Sequence, residues 1–273
     1  MNKSRWAAMI TMMAVFMLAV TGCGGGDKKE GGKTTITVAG STSVQPLSEE
    51  LVKAYNKKNP NVTINVQGGG SSQGIKAAAN GIAQVGASSR KLKDSEKAGL
   101  KEIQIALDGI AVVLNPKNTG VTNLTVAQVK DIFSGKITNW KDVGGKDAEI
   151  SVVTREAGSG TRGAFEEIVM HDAKITDKAI TQASNGAVRS TVAGDEKSIG
   201  YLSLGFISAD VRPVKVENIE PSVDNVKNGT YKVSRPFLYL TKGDPSGGVK
   251  DFTDFVLSPE GQEIVGKNYI KVN

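Results

Sequence analysis

The chain has one cysteine, Cys23, and one histidine, His171, among 273 residues. A lone cysteine cannot close an internal disulfide, so no covalent cross-link holds the fold within this chain. Metal centres need clustered His, Cys or carboxylate ligands, and none stands at ligand spacing here. A Ser-His-Asp nucleophile system would have to recruit His171, which sits at a polar-flanked helix end. No Gly-x-Ser-x-Gly elbow is present to carry its serine. Aromatic residues are only 5% of the chain, and the 34 Lys and Arg are scattered among 28 Asp and Glu. A nucleic-acid binder shows a clustered basic face with stacking aromatics. The net charge of +6 therefore reads as a solvated surface that mildly favours anions. The Gly31-Gly32-Lys33-Thr34 stretch hints at a nucleotide P-loop, but the required first glycine would fall at Asp27.

Long apolar runs are also scarce. The one at the N-terminus, Trp6 to Val20, follows Lys3 and Arg5 and precedes the small residues Val20-Thr21-Gly22. That is the layout of a secretory signal, too short for a membrane helix of about 20 residues. The Leu18-Ala19-Val20-Thr21-Gly22-Cys23 stretch resembles a bacterial lipoprotein signal. The resemblance implies that residues 1–22 are removed, that Cys23 becomes the lipidated N-terminus, and that the glycine- and charge-rich residues 23–33 form a flexible tether. Net charge then falls to +4, since Lys3 and Arg5 leave with the signal. The rest is enough for one large domain or two small ones with real cores.

Period-two alternation predicts strands at Thr35–Ala39, Val62–Val66 and Ser151–Thr154; longer apolar strands are expected at Ile103–Asn115, Ile199–Leu204 and Phe237–Leu240. Helical patterns lie between them. Val44, Leu47, Leu51 and Tyr55 share one face, and Asn59-Pro60 ends that helix. Thr125 and Gln128 form a capping box ahead of Val129, Ile132 and Phe133. Ser258-Pro259 reads as an N-cap followed by proline at the first helical position. This alternation predicts an α/β fold with largely parallel sheets. Composition shifts near Asn115-Pro116-Lys117-Asn118 and Val226–Arg235 suggest crossings between two lobes, residues 34–115 plus 233–273 and residues 116–232.

Three loops share one design. Gly40-Ser41-Thr42-Ser43, Gly68-Gly69-Gly70-Ser71-Ser72-Gln73-Gly74 and Arg155-Glu156-Ala157-Gly158-Ser159-Gly160-Thr161 each follow a strand and open a helix. The first N–H groups of a helix lack partners and carry partial positive charge. Glycines let that backbone approach a ligand, and hydroxyls add donors, so the pattern suits a tetrahedral oxyanion. Any one loop is also an ordinary N-cap and turn; three at the carboxyl ends of strands point to a site. Arg155, at a strand end, can grip two oxygens at once. Asp108 interrupts an apolar run from Ile103 to Leu114, and burying a lone carboxylate is costly. It is therefore either a structural partner or a ligand group.

At these residues the chain resembles the phosphate-binding component of the bacterial high-affinity phosphate ABC transporter, the PstS family. The matching segments are 39–47, 70–74, 85–90, 107–112, 132–140 and 155–162, in family order. The resemblance implies a two-lobed, type II periplasmic-binding-protein-like fold closing over one dehydrated phosphate. It places the contacts on Thr42, Ser43, Ser71, Ser89, Arg155, Ser159, Gly160 and Thr161. It further implies a monomer without cofactor, anchored on the outer face of the cytoplasmic membrane, that serves membrane permease subunits. Some family members carry an aspartate where this chain has Ser89, and another at Ala157. Asp108 is the expected replacement acceptor for the phosphate's proton, and Glu156 a loose replacement partner for Arg155. The alternatives are a binder of sulfate or molybdate, a surface phosphoesterase, and a sensory or adhesive domain with a vestigial pocket.

Overall fold

A computed structural model describes residues 34–273; the signal, Cys23 and the tether lie outside these residues. Strand and helix alternate from the start: β1 (Thr34–Gly40), α1 (Gln45–Lys58), β2 (Val62–Gly68), α2 (Ser71–Ala79) and β3 (Val85–Ser88). The long β4 (Leu100–Leu114) follows, then β5 (Asn123–Leu124), α3 (Val126–Phe133), β6 (Ser151–Arg155), α4 (Gly160–Phe165), β7 (Ile180–Gln182) and α5 (Asn185–Gly194). The chain finishes with β8 (Ser198–Ser203), β9 (Arg212–Pro213), β10 (Lys215–Val216), α6 (Val223–Lys227), β11 (Ser234–Lys242), α7 (Gly247–Leu257) and α8 (Pro259–Val265).

The local signals act as expected. Thr125 Oγ1 accepts the Gln128 amide at 3.1 Å and Gln128 Oε1 accepts the Thr125 amide at 2.9 Å, completing the capping box of α3. Ser258 Oγ caps α8 through the Gly261 amide at 3.2 Å, with Pro259 in its first turn. On α1, Leu47, Leu51 and Tyr55 are buried on one face, and Tyr55 packs edge-on against Phe252 of α7.

The main sheet runs β2-β1-β3-β11-β4-β8-β6-β7, with β9 paired to β4. β1 is parallel to β2 and β3, and β6 is parallel to β7 and β8. The expected largely parallel sheet is corrected at its centre, where β11 runs antiparallel to β3 and β4, and β4 antiparallel to β8. The reason lies in the length of β4. At about 3.3 Å per residue its 15 residues span about 50 Å, enough to serve two cores in turn. Ile105 and Ala106 belong to one apolar cluster with Ile36, Val38, Leu51, Phe237 and Phe252. Ile110 to Leu114 belong to another, with Phe133, Phe165, Val188, Tyr201 and Val233. A strand that leaves one core and enters the next, paired with β11 returning, must present an antiparallel ladder at the junction. Asp108 and Arg235 face each other in that ladder.

Candidate functional site: a hydroxyl and guanidinium cluster

The starts of α1, α2, α4 and α5 bring their polar side chains together. Ser43, ahead of α1, lies with its Oγ 2.7 Å from Thr161 Oγ1 of α4. The same oxygen accepts from Asn185 Nδ2 at 2.8 Å and from Arg235 Nη2 at 3.1 Å. Ser89, just past β3, accepts from Ser41 Oγ at 2.8 Å and from Arg235 Nη1 at 3.3 Å, and its own amide donates to Ser71 Oγ at 3.0 Å. Ser71 and Ser89 hydroxyls stand 3.4 Å apart. Gly160 sits against both: a Cβ there would lie 2.1 Å from Ser71 Oγ and 2.6 Å from Ser89 Oγ. Ser43, Ser71, Ser89, Thr161 and Asn185 are all buried.

Why the chain folds this way locally is legible residue by residue. Ser41 Oγ accepts the Ser43 and Val44 amides at 3.2 and 3.4 Å, a local serine turn that holds Ser43 two residues before α1 begins. Gly70 has φ +94°, a left-handed conformation open to glycine. A Cβ there would meet the Gly158 carbonyl at 3.0 Å and Glu156 Oε1 at 3.2 Å. With Ser72 donating its amide to the same carbonyl at 3.1 Å, the second and third loops touch backbone to backbone. Ser159 caps α4, its Oγ accepting the Arg162 amide at 3.2 Å; no side-chain bond links it to the hydroxyl cluster among the described residues.

Arg155 is 1% exposed and almost fully engaged. Its Nε and Nη2 meet Glu156 Oε2 and Oε1, both at 3.0 Å, and the carbonyls of Gln182 and Ala183, both at 3.2 Å. Nη2 also reaches Thr42 Oγ1 at 3.2 Å. Thus Glu156 is the arginine's carboxylate partner despite its adjacent position, and Thr42 is drawn in through the arginine. Nη1 is buried and has no protein partner among the described residues. Tyr201 steadies the strand end: its hydroxyl meets Thr154 Oγ1 at 2.8 Å and accepts the Arg155 amide at 3.3 Å, and its ring stacks on Phe165 at 4.1 Å. Burial pushes the phenol up to about 12, so it stays protonated.

Asp108 is fully buried, and both of its oxygens are occupied. Oδ2 accepts from Arg235 Nε and Nη2 at 3.2 and 3.0 Å, and Oδ1 from Ser203 Oγ at 3.0 Å. Desolvation raises its carboxyl to about 6, with the Arg235 charge opposing the rise; burial lowers the Arg235 guanidinium, and Asp108 opposes that. The geometry therefore shifts the acceptor role expected for Asp108 to that of counter-ion. It meets the cluster through Arg235, not directly.

Arg235 and Asn185 are the residues that sequence reasoning missed. Asn185 repeats the loop design, since Ser184 caps α5 through the Ala187 amide at 3.0 Å after the short β7. Its Oδ1 accepts the Ser203 amide at 3.1 Å, fixing the amide so that Nδ2 faces Ser43. For Arg235 the available signal was an arginine opening a buried strand, where Arg155 closes one. His171, set aside as a catalytic base, is exposed, with φ +51°.

Hydroxyls and guanidinium groups at helix starts within an open α/β architecture define an anion-binding module. The chain belongs to the PBP superfamily, whose domain model matches residues 26–260. Within it the chain falls in the PstS family, being 31% identical over 291 residues to the phosphate-binding protein PstS of Bacillus subtilis, with 100% of this chain and 95% of that protein covered. The phosphate-binding protein PstS of Borreliella burgdorferi is 30% identical, over 87% of this chain and 90% of the relative. A solved structure from Clostridium perfringens, described as a phosphate ABC transporter substrate-binding protein with bound phosphate, is 47% identical; it has a TM-score of 0.85 and covers 88% of this chain and 100% of its own. An ABC-type phosphate transport receptor from Vibrio cholerae is 37% identical with a TM-score of 0.73, over 86% of this chain and 99% of its own. The fold is the two-part α/β type II arrangement of these binding proteins.

Proposed function

We propose that this protein captures inorganic phosphate outside the cytoplasm and hands it to the permease of an ABC transporter, without chemistry on the anion. The observation that carries the reading is Arg155 Nη1, a buried guanidinium donor with no protein partner among the described residues, beside hydroxyls contributed by separate helix starts. A buried charged donor left unpaired is costly, and an oxyanion is the ligand class that matches it. The names of the relatives point to the same anion. In this reading Thr42, Ser43, Ser71, Ser89, Arg155 and Thr161 hold the phosphate, Ser159 and Gly160 bring the amide end of α4 to it, and Arg235 and Asn185 join them. Residues 34–115 plus 233–273 form one lobe and 116–232 the other, hinged where β4 and β11 pair. Cys23 carries the lipid that keeps a monomer on the outer face of the membrane.

Both carboxylates near the site are paired with arginines, so in this reading the phosphate's own proton goes to a hydroxyl, which can turn either way. Sulfate and molybdate are therefore the rivals to test. Titration calorimetry with phosphate, sulfate and molybdate at two pH values is expected to favour phosphate by about tenfold or more, roughly the worth of one well-placed hydrogen bond. Equal or tighter binding of sulfate or molybdate would replace phosphate as the ligand. Gly160→Ala supplies a local check. Its new methyl would collide with the Ser71 and Ser89 oxygens, and overpacking of about 1–3 kcal/mol predicts a loss of affinity of about ten- to a hundredfold. An unchanged affinity would remove Gly160 from the site.

A further inference from the structure

We propose, resting on the reading of this cluster as a phosphate site, that the Ser71 hydroxyl accepts the proton of the bound anion. Ser71 is then the residue at which phosphate is told apart from an oxyanion that has no proton. A serine or threonine hydroxyl offers one proton and two lone pairs, so an oxygen with both lone pairs filled can meet a ligand only as a donor. Ser43 Oγ has both filled, by Asn185 Nδ2 at 2.8 Å and Arg235 Nη2 at 3.1 Å. Ser89 Oγ has both filled, by Ser41 Oγ at 2.8 Å and Arg235 Nη1 at 3.3 Å. Thr42 Oγ1 likewise receives Arg155 Nη2 at 3.2 Å and Asn185 Nδ2 at 3.5 Å. These polarities are forced. Guanidinium and amide nitrogens donate and do not accept, and Ser41 Oγ is itself filled by the Ser43 and Val44 amides, which leaves it only its proton to give.

Thr161 and Ser71 are the two hydroxyls of the cluster that remain. Ser43, with no lone pair left, must be the donor in its 2.7 Å contact with Thr161 Oγ1. Thr161 thus receives a proton from a hydroxyl already polarised by a guanidinium and an amide, and hydrogen bonds in series strengthen one another. That makes Thr161 the end of a donor chain, with its own proton turned to the ligand. Ser71 stands apart from the chain. Among the described residues its oxygen receives one full bond, from the neutral Ser89 amide at 3.0 Å. The Ser89 hydroxyl lies 3.4 Å away, long against the usual about 2.8 Å between hydroxyls. The Ser89 proton is therefore left for the ligand, and one lone pair of Ser71 is open. Ser71 is fully buried, which shields that lone pair from bulk water. The cluster is then a ring of donors with one acceptor, the complement of an anion with three bare oxygens and one protonated.

Monofluorophosphate isolates this contact. At about pH 8 it keeps the shape and double charge of phosphate, but fluorine stands in place of the hydroxyl and has no proton to give. In the unaltered chain, calorimetric titration is expected to show phosphate bound about tenfold more tightly than fluorophosphate, the worth of about one hydrogen bond. In Ser71→Ala phosphate should weaken about tenfold and fluorophosphate much less, so that the two affinities converge. Thr161→Val, which deletes a donor and keeps the volume, should weaken both anions alike and leave their ratio in place. Ser71→Cys, whose sulfur is a weaker acceptor, should give an intermediate ratio and replaces the alanine variant if that one does not fold. Equal affinity for the two anions in the unaltered chain would overturn the proposal without any variant. So would an unchanged ratio in the Ser71 variants, or a ratio lost in Thr161→Val instead. If the unaltered chain binds neither anion, the functional reading itself fails and the proposal falls with it.

Discussion

Replacing Arg155 with alanine is expected to lower phosphate affinity about a thousandfold, measured by titration calorimetry. The estimate follows from two charge-assisted bonds worth about 1.5–3 kcal/mol each, at about 1.4 kcal/mol per factor of ten. The geometry explains why the loss should fall on binding more than on stability. Glu156 is half-buried and can turn to water once its partner is gone, and the Gln182 and Ala183 carbonyls each lose one donor. Arg155→Lys is expected to recover less than a tenth of the lost affinity. A single ammonium cannot meet Glu156 through two nitrogens and still present a third donor. Binding within tenfold of wild type in Arg155→Ala would show that the unpartnered Nη1 is not the anchor of the site.

Arg235→Met is expected to act on folding and binding together. Removing one partner of a buried ion pair costs about 3–5 kcal/mol, here because Asp108 would remain buried with only Ser203 and a backbone amide for company. The loss should depend on pH. Below about 4 the carboxyl of Asp108 is protonated in both folded and unfolded chains. Its folded value is already raised to about 6, so between 4 and 6 the folded protein keeps a proton that the unfolded chain gives up, and stability falls as pH rises. Without Arg235 the opposing charge is gone, the folded value rises further, and the falling span extends toward neutrality. Urea titrations at pH 5 and pH 7 should therefore show the larger deficit at pH 7. Asp108→Leu combined with Arg235→Met should restore much of the stability, as apolar replacement of a buried pair does, while leaving phosphate binding impaired. Equal deficits at both pH values would deny Asp108 its place as the counter-ion.

Much of the architecture was readable because it rests on local rules. The capping box at Thr125, the Ser258-Pro259 start and the apolar face of Val44, Leu47, Leu51 and Tyr55 each depend on residues within one or two turns. The glycine and hydroxyl loops, and Arg155 at the strand end, were readable for the same reason. Strand direction was not. Nothing in the pattern of β4 or β11 says which way each runs against its neighbours, and the antiparallel centre of the sheet follows from a junction between two cores. The partner of Asp108 was hidden likewise. Its isolation in an apolar run signalled an unmet need, but Arg235 becomes visible only once the ladder register is known. Asn185 was within reach, since Ser184-Asn185-Gly186 repeats the hydroxyl and glycine design of the other loops, but on a strand of three residues too short to announce itself.

The pairs that build the site are far apart in the chain: Ser43 meets Thr161 across 118 residues, Asn185 across 142 and Arg235 across 192. Such contacts form late, because the entropy of closing long loops precedes any reward from them. A nascent chain shorter than about residue 235 can therefore hold no complete anion site, however well its early strands and helices have formed. Under the proposed function, in which the chain threads a membrane before it folds, this is a useful order of events. Ligand then acts as a late-stage clamp on the finished topology, stabilising the assembled form by mass action without trapping any fragment on the wrong side.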